Sequence, residues 1–333
     1  MRNIIAIGNA IIDILCRVDD SFLKENNLVK GSMSLIDEAT AAKLSKLEYE
    51  KITSGGSAAN TIATLANLDV SSSFIGKVAN DEFGKKFIDD IKQNKVHFLN
   101  NNFSNSFSAK SFILITPDGE RTMCTFLGCA SEISEDDIKE EHFNNASILY
   151  LEGYLWDSKT TISALKKAIS IAKKNNVKIA FSLSDSFCVI RHKKDFLSLI
   201  KNDLDLLFAN ENEVLELTSQ TELSFKNLAE FFKVKKDLIA IVTRSSKGCV
   251  VFQNNKFFEN SVNKVNNPID TTGAGDAFAA GFFYGFTNNY KLKEAAQFAN
   301  ILASTAIQKL GARLDNTEIK QILNDTLDKR RAS

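Results

Sequence analysis

The chain has 333 residues, 44% of them hydrophobic and 25% charged, and its 41 basic and 41 acidic side chains cancel. That length suits one large α/β domain or two ordinary ones. The neutral balance leaves no electrostatic footprint for nucleic acid or an anionic membrane surface. The apolar start of the chain is too short for a signal core, and no segment approaches the length of a membrane span. Five scattered cysteines, Cys16, Cys124, Cys129, Cys188 and Cys249, form no CxxC pair, and only three histidines occur. A zinc site or a disulfide framework is therefore not expected, and the cysteine usage reads as that of a cytoplasmic protein with reduced thiols.

In chain order, residues 4–8 are a first apolar β-type run that ends on Gly8. Residues 57–68 carry Ile62, Leu65 and Ala66 at helical spacing. Short runs rich in Ile, Leu, Val, Phe and Tyr follow at 147–151, 178–183, 205–209 and 238–243, separated by helix-length stretches at 158–174, 192–202 and 224–234. This alternation predicts βαβ units and a doubly wound, mainly parallel α/β sheet covered on both faces. After the last strands the pattern turns helical. Ala277, Phe278, Gly281, Phe282 and Gly285 form one apolar face, and residues 295–310 form a second helix. Two stretches, 14–36 and 98–127, interrupt the alternation. The second holds two β-rich runs around Pro117-Asp118-Gly119, a hairpin signal. Both interruptions are expected to pair into a small β-sheet lid over the site, on a single domain spanning residues 1–333. Neither a low-complexity linker nor an internal repeat is visible.

The strongest chemical signal is Asp270-Thr271-Thr272-Gly273-Ala274-Gly275-Asp276, directly before a helical pattern. Gly273, Ala274 and Gly275 let backbone N–H groups come close to a phosphate, and a helix N-terminus adds positive potential there. Asp276, in the first turn, is aimed at the same place. A carboxylate that can take a hydroxyl proton, beside donors that can hold a phosphoryl group, is the pairing that phosphoryl transfer needs. The plain alternative is a glycine-rich turn with a capping Asp. A second junction, Gly55-Gly56-Ser57-Ala58-Ala59-Asn60, also opens a helix. Its glycines permit close approach of a ligand, and Asn60 can point back toward it. Asn9 and Asp13 follow the first strand, where ligands of open α/β sheets bind. Together they could grip vicinal hydroxyls, although taken alone they are better explained as a capping Asn and a surface Asp. No G-x-G-x-x-G follows the first strand, which disfavours a dinucleotide oxidoreductase.

Taken together, these motifs resemble the ribokinase-type (PfkB) carbohydrate and purine kinases, and the resemblance covers nearly the whole chain. It implies a ribokinase-like fold with a β lid, and ATP and Mg²⁺ as cofactors. It also implies Asp276 as the base and the amides of Gly273, Ala274 and Gly275 as an anion hole. Asn9, Asp13, Gly56, Ser57 and Asn60 become substrate-binding residues. The family's N-x-x-E motif falls on Asn210 and Glu213, the latter supporting Mg²⁺ through water. Its T-x-G-x-x-G nucleotide loop falls on Thr243 to Gly248, with Ser245 in place of the first glycine. Asn300 falls on the adenine pocket. Asp270, with backbone from 306–312, falls on a monovalent-cation site that would hold K⁺. Arg121 matches a lid arginine that steadies the transferring phosphate.

Within the family the chain looks most like the adenosine kinases. Gly8-Asn9-Ala10-Ile11-Ile12-Asp13 resembles their GNP-x-x-D opening, and residues 181–187 resemble their N-L-S-A-P-F segment, with Asp185 as a departure. Phe208-Ala209-Asn210-Glu211 resembles F-G-N-E. The D-x-N-x-R string usual in sugar-specific members is absent. The implied activity is ATP-dependent phosphorylation of a nucleoside's primary hydroxyl, adenosine to AMP. The alternatives are a ribokinase- or fructokinase-like sugar kinase, or a non-catalytic nucleoside-binding protein. Tyr154, Leu155, Trp156, Met33 and Leu35 are either a wall for the base or simple packing. The expected partners are the acceptor and ATP, and the chain is expected to be a monomer or homodimer.

Overall fold

The computed structural model describes residues 3–262 and 264–331. Its strands are β1 (Asn3–Ile7), β2 (Ile11–Arg17), β3 (Met33–Leu35), β4 (Lys51–Gly55), β5 (Ser72–Ile75), β6 (His97–Phe98), β7 (Ala109–Ile115), β8 (Arg121–Phe126), β9 (Ala146–Glu152), β10 (Lys178–Ser182), β11 (Leu206–Asn210), β12 (Ile239–Thr243), β13 (Cys249–Gln253) and β14 (Lys256–Asn260). Nine of them form one sheet in the order β14-β13-β12-β11-β10-β9-β1-β5-β6. Pairing is parallel from β6 through β12 and antiparallel across β12, β13 and β14.

Strand β1 shows why the sheet is covered on both faces. Ile4 and Ala6 belong to one buried cluster. Ile5 and Ile7 belong to the other. Successive side chains of a strand point to opposite faces, so an unbroken apolar run is what a two-sided core requires. The first face is closed by the helices Ser57–Asn67, Ala274–Thr287 and Leu292–Ala306. The last two lie unusually close. A Cβ on Gly281 would come within 2.7 Å of the Ala299 Cα, and one on Gly285 would come equally near the Ala295 Cα. The other face carries Lys159–Lys174, Ser186–Asn202, Glu211–Thr218 and Phe225–Phe232.

The apolar runs at 4–8, 147–151, 178–183, 205–209 and 238–243 become β1, β9, β10, β11 and β12. One helix starts earlier than the periodicity indicates. Ser186–Asn202 opens where the Asp185 carboxylate accepts from the Cys188 amide at 2.7 Å. It then kinks at His192, whose φ/ψ is non-helical, so only its second half displays a regular apolar face.

The remaining five strands form a second sheet in the order β3-β8-β7-β2-β4. The hairpin around Pro117-Asp118-Gly119 is β7–β8, closed by the Gly119 amide on the Thr116 carbonyl at 2.8 Å. This sheet starts at Ile11, ahead of the expected boundary, and recruits β4, which lies outside both expected stretches. β4 is short and half polar, so it carries no strand signature of its own. All five cysteines are buried and free. Among the described residues no helix is long and apolar enough to cross a membrane.

Candidate active site

The two glycine-bearing junctions, far apart in the chain, meet at the carboxyl end of the large sheet. Asp276 lies in the first turn of Ala274–Thr287. Its Oδ1 accepts from the Ser57 hydroxyl at 2.6 Å, and its Oδ2 accepts from Asn60 Nδ2 at 3.2 Å. Gly273 precedes it with φ +75°, and a Cβ there would strike the Ala312 carbonyl. Gly56 precedes Ser57 with φ +96°, and a Cβ there would strike the Asn9 carbonyl. Both helices therefore begin on a left-handed residue that only glycine accommodates cheaply. Burial pushes the Asp276 carboxyl up to about 6, against the Ser57 and Asn60 hydrogen bonds and the Arg313 charge.

Asp13, on β2, lies against Gly55. Its carboxylate receives no hydrogen bond among the described residues, and burial raises it to about 7 against the pull of Arg313. Asn9 is buried and turned to Glu152, its backbone amide donating to Oε1 at 2.7 Å.

Two charged residues of this site escaped the sequence reading. Glu152, at the end of β9, is fully buried, and its Oε2 accepts from the Ala58 amide at 2.8 Å. It thus caps the helix Ser57–Asn67 from another strand, and burial pushes it up to about 7. An acid closing an apolar strand at the ligand-binding edge of the sheet is a signal that could have found it. Arg313 donates from Nε to Asn60 Oδ1 at 2.8 Å, and from Nη1 to Ser54 at 2.9 Å and Asp90 at 3.3 Å. Nothing in the spacing around it announces this role.

On the far side of Asp276 a cavity of about 390 Å³ runs along the loop. Asn210, Thr243, Gly248 and Asn300 line it together with Ala274 and Gly275. A Cβ on Gly275 would meet nothing within 4 Å. Gly248 has φ +83° and is pressed against the Asn260 carbonyl. Ser245 has φ +50°. The residue that departs from the glycine pattern thus still takes the left-handed backbone for which glycine is favoured, so the loop keeps its turn. Asn300 is held by the Asn260 carbonyl at 3.3 Å.

Glu213 is placed differently from a residue free to reach a metal. It forms a reciprocal capping box with Asn210: Asn210 N donates to Oε2 at 2.9 Å, Nδ2 to Oε1 at 2.6 Å, and Glu213 N to Asn210 Oδ1 at 2.9 Å. Buried there, it is pushed up to about 7. Asp270 is likewise engaged. It ion-pairs with Arg121 and accepts from the Thr272 amide at 3.1 Å and the Gly311 amide at 2.8 Å. Arg121 therefore rests on Asp270, at the start of the Gly273 loop. Trp156 and Leu155 are core residues, the indole packing edge-on against Phe181 and Phe196 at 5.2 and 5.7 Å. Tyr154 bonds the Ser184 carbonyl at 3.3 Å, while Met33 and Leu35 are exposed on β3.

The family model for pfkB carbohydrate kinases matches residues 1–319. The chain belongs to the pfkB family of carbohydrate kinases. Among solved members of this fold, an adenosine kinase from Sinorhizobium meliloti is 37% identical, with a TM-score of 0.85, over 96% of this chain and 99% of that one. A probable sugar kinase from Rhizobium etli is 34% identical, with a TM-score of 0.84, over 97% and 98%. Rice fructokinase-2 is 28% identical over 78% of this chain and 80% of its own length. For a pfkB kinase, the fold is the ribokinase-like pairing of a large, mainly parallel sheet with a second, five-stranded one.

Proposed function

We propose that this pfkB kinase transfers the γ-phosphoryl group of ATP to the primary hydroxyl of a nucleoside, adenosine giving AMP, with Asp276 as general base. The observation that carries the chemistry is the placement of Asp276. It is a half-buried carboxylate with two neutral donors and a pKa pushed up to about 6, between Asp13 and the cavity beyond Gly275. Such a group is ionised at neutral pH yet basic enough to accept a hydroxyl proton. Adenosine as acceptor is supported by the near-full-length likeness to an adenosine kinase at 37% identity. The Asp185 departure does not weigh against it, because that carboxylate serves as a helix cap.

In this reading Asp13, without a donor among the described residues, binds acceptor hydroxyls. Asp276 takes the proton of the attacking hydroxyl as its oxygen bonds to phosphorus, and the bond from phosphorus to the ADP oxygen breaks. Ser57 and Asn60 hold the carboxylate in place, while the amides at Gly273 and Gly275 face the charge that develops; the Ala274 amide, expected to join them, is bonded to the Thr271 carbonyl at 3.2 Å. Arg121 would exchange Asp270 for the phosphoryl group, and the second sheet would act as a lid that excludes water.

Among the described residues no group of three or more His, Cys, Asp or Glu is arranged to hold a metal. That suits Mg²⁺, which keeps much of its water and binds largely through substrate phosphates. Asn210 on the cavity wall would support it through water, with Glu213 fixing Asn210, and the ion would neutralise phosphate charge. A K⁺ ion at Asp270 would have to share a carboxylate already bonded to a guanidinium and two amides, and no step here uses one.

Coupled ADP release across adenosine, inosine, guanosine, ribose and fructose tests the reading. Adenosine should give the highest kcat/KM. A preference for free sugar would keep Asp276 as base and move the enzyme to the sugar kinases. The 34% identity to a probable sugar kinase and the fructokinase likeness favour that second reading. No transfer to any acceptor would end the kinase reading.

A further inference from the structure

The segment 311–313 crosses between the two helix N-termini and touches both. The Gly311 amide donates to Asp270. Ala312 abuts Gly273. Arg313 reaches the opposite helix at Asn60. We propose that Arg313 is a positioning residue for phosphoryl transfer: it fixes the rotamer of Asn60, and through Asn60 the Asp276 carboxylate, and ties both to strand β4 of the second sheet. The inference rests on the kinase reading of this site and adds to it a residue that need not touch substrate.

Donor chemistry fixes the orientation of Asn60. A guanidinium can only donate, so the Asn60 oxygen must face Arg313, and the Asn60 NH₂ is thereby turned to Asp276. The two contacts, 2.8 Å and 3.2 Å, follow that polarity. Without the guanidinium the amide could flip and present its oxygen to a carboxylate, which repels it. Arg313 Nη1 binds Ser54 on β4 and Asp90 on the helix Glu82–Gln93, and Asp90 also accepts from the Ser54 amide at 2.9 Å. One side chain thus joins the base, the acceptor helix and the second sheet. Among the described residues its Nη2 is buried without a partner, so the cluster is not a fully satisfied structural salt bridge, and such an orphan is costly to keep.

Charge supports the geometry. Facing Asp276 are Ser57 and Asn60 from one helix, Asp13 from β2, and Glu152 and Tyr150 from β9. Tyr154 stands beyond them, and Arg313 is the cation among these groups. It pulls Asp276 down while burial pushes it up.

The test uses the full-length enzyme with Arg313→Met and Arg313→Lys. The Met variant should lose about tenfold to a hundredfold in kcat, the scale of a small misplacement of reacting groups, with little change in the KM for ATP. The acid limb of its kcat/KM profile should move up by about one pH unit, as loss of a nearby opposite charge does to a carboxylate. The ¹³C titration of the Asp276 carboxyl, assigned with Asp276→Asn, should move by the same amount, and it needs no substrate. Lys keeps the charge but not the planar fork, so it should leave the titration near wild type and still lower kcat. A folded Met variant with an unmoved carboxyl titration, or a Lys variant with wild-type kcat, overturns the proposal. A wild-type protein inert toward every acceptor would defeat the kinase reading instead, and the carboxyl titration would still report the Arg313 contact.

Discussion

The two helices that meet at Asp276 begin in the same way and end up with opposite fates. Both start on a glycine in a left-handed conformation, and neither glycine offers a side-chain cap. At Ser57–Asn67 the protein fills the exposed N-terminus itself: the Glu152 carboxylate sits on the Ala58 amide, and Gly8 is packed against it. At Ala274–Thr287 the Ala274 amide turns back onto the Thr271 carbonyl at 3.2 Å, but no acceptor is bonded to the Gly275 amide among the described residues, and the space around the Gly275 Cα is open. A helix N-terminus attracts anions. One of this pair is capped at the Ala58 amide by an internal carboxylate and serves as scaffold. The other stays available to an anion, and Asp276, the proposed base, is mounted on it. Rigidity on one side and accessibility on the other is the division of labour that preorganised catalysis needs.

The largest effect should come from the available end. Asp276→Asn removes the base but keeps the shape and the bond from Ser57 or Asn60, so kcat should fall by about 10²–10⁴-fold, with acceptor affinity nearly intact. Steady-state kinetics beside equilibrium binding of the acceptor would show the split. Unchanged turnover would remove Asp276 from the mechanism.

Next is Gly275→Ala. The added methyl meets no protein atom within 4 Å, and alanine suits a first helical turn better than glycine, so thermal stability should hold or rise. The methyl would project beside the cavity lined by Asn210, Thr243 and Asn300, and on the proposed reading kcat/KM for ATP should drop by about tenfold, on the scale of a misplaced reacting group. Equal losses in stability and activity would mean that this end is structural like the other.

The capped end should respond in reverse. Glu152→Gln retains one acceptor oxygen where two amides need one each. An unpaired buried N–H costs about 1–3 kcal/mol, which calorimetry would register as a lower Tm, with kinetics changed only secondarily. A stable variant with a damaged acceptor KM would recast Glu152 as a ligand.

The contrast also explains what the sequence disclosed. Asp276, Ser57 and Asn60 were legible because their chemistry is local: glycines needed for a left-handed turn stand next to the polar residues they present. The βαβ framework was legible because strands such as β1 are apolar on both faces. Glu152 and Arg313 act on partners 94 and 253 residues away, and no periodicity encodes such a pairing. Asn210 and Glu213 were legible in two senses, since a ligand motif and a capping box share one spacing, and only coordinates show the box closed. Trp156 looked available to a ligand because it follows a strand, but the ring cluster of Phe181 and Phe196 lies on the far side of the sheet and claims it. β4 went unseen because its polarity is matched to a site, not to a core.

The smallest effect is the most discriminating about the acceptor cleft. Asp13 titrates near 7 in the fold and near 3.9 in an unfolded chain. Between those values the folded protein holds a proton that the unfolded one has released, so stability falls as pH rises from about 4 to about 7 and stays lower above. Asp13→Asn abolishes this titration. Its Tm should match wild type near pH 4 and exceed it near pH 8, while its KM for the acceptor rises. A gain that appears only at high pH marks a carboxylate kept charged, at a cost to stability, for a ligand that the free protein does not contain. A pH-independent difference would mean that the Asp13 carboxylate is satisfied within the protein, and acceptor binding would then have to be sought elsewhere on β2.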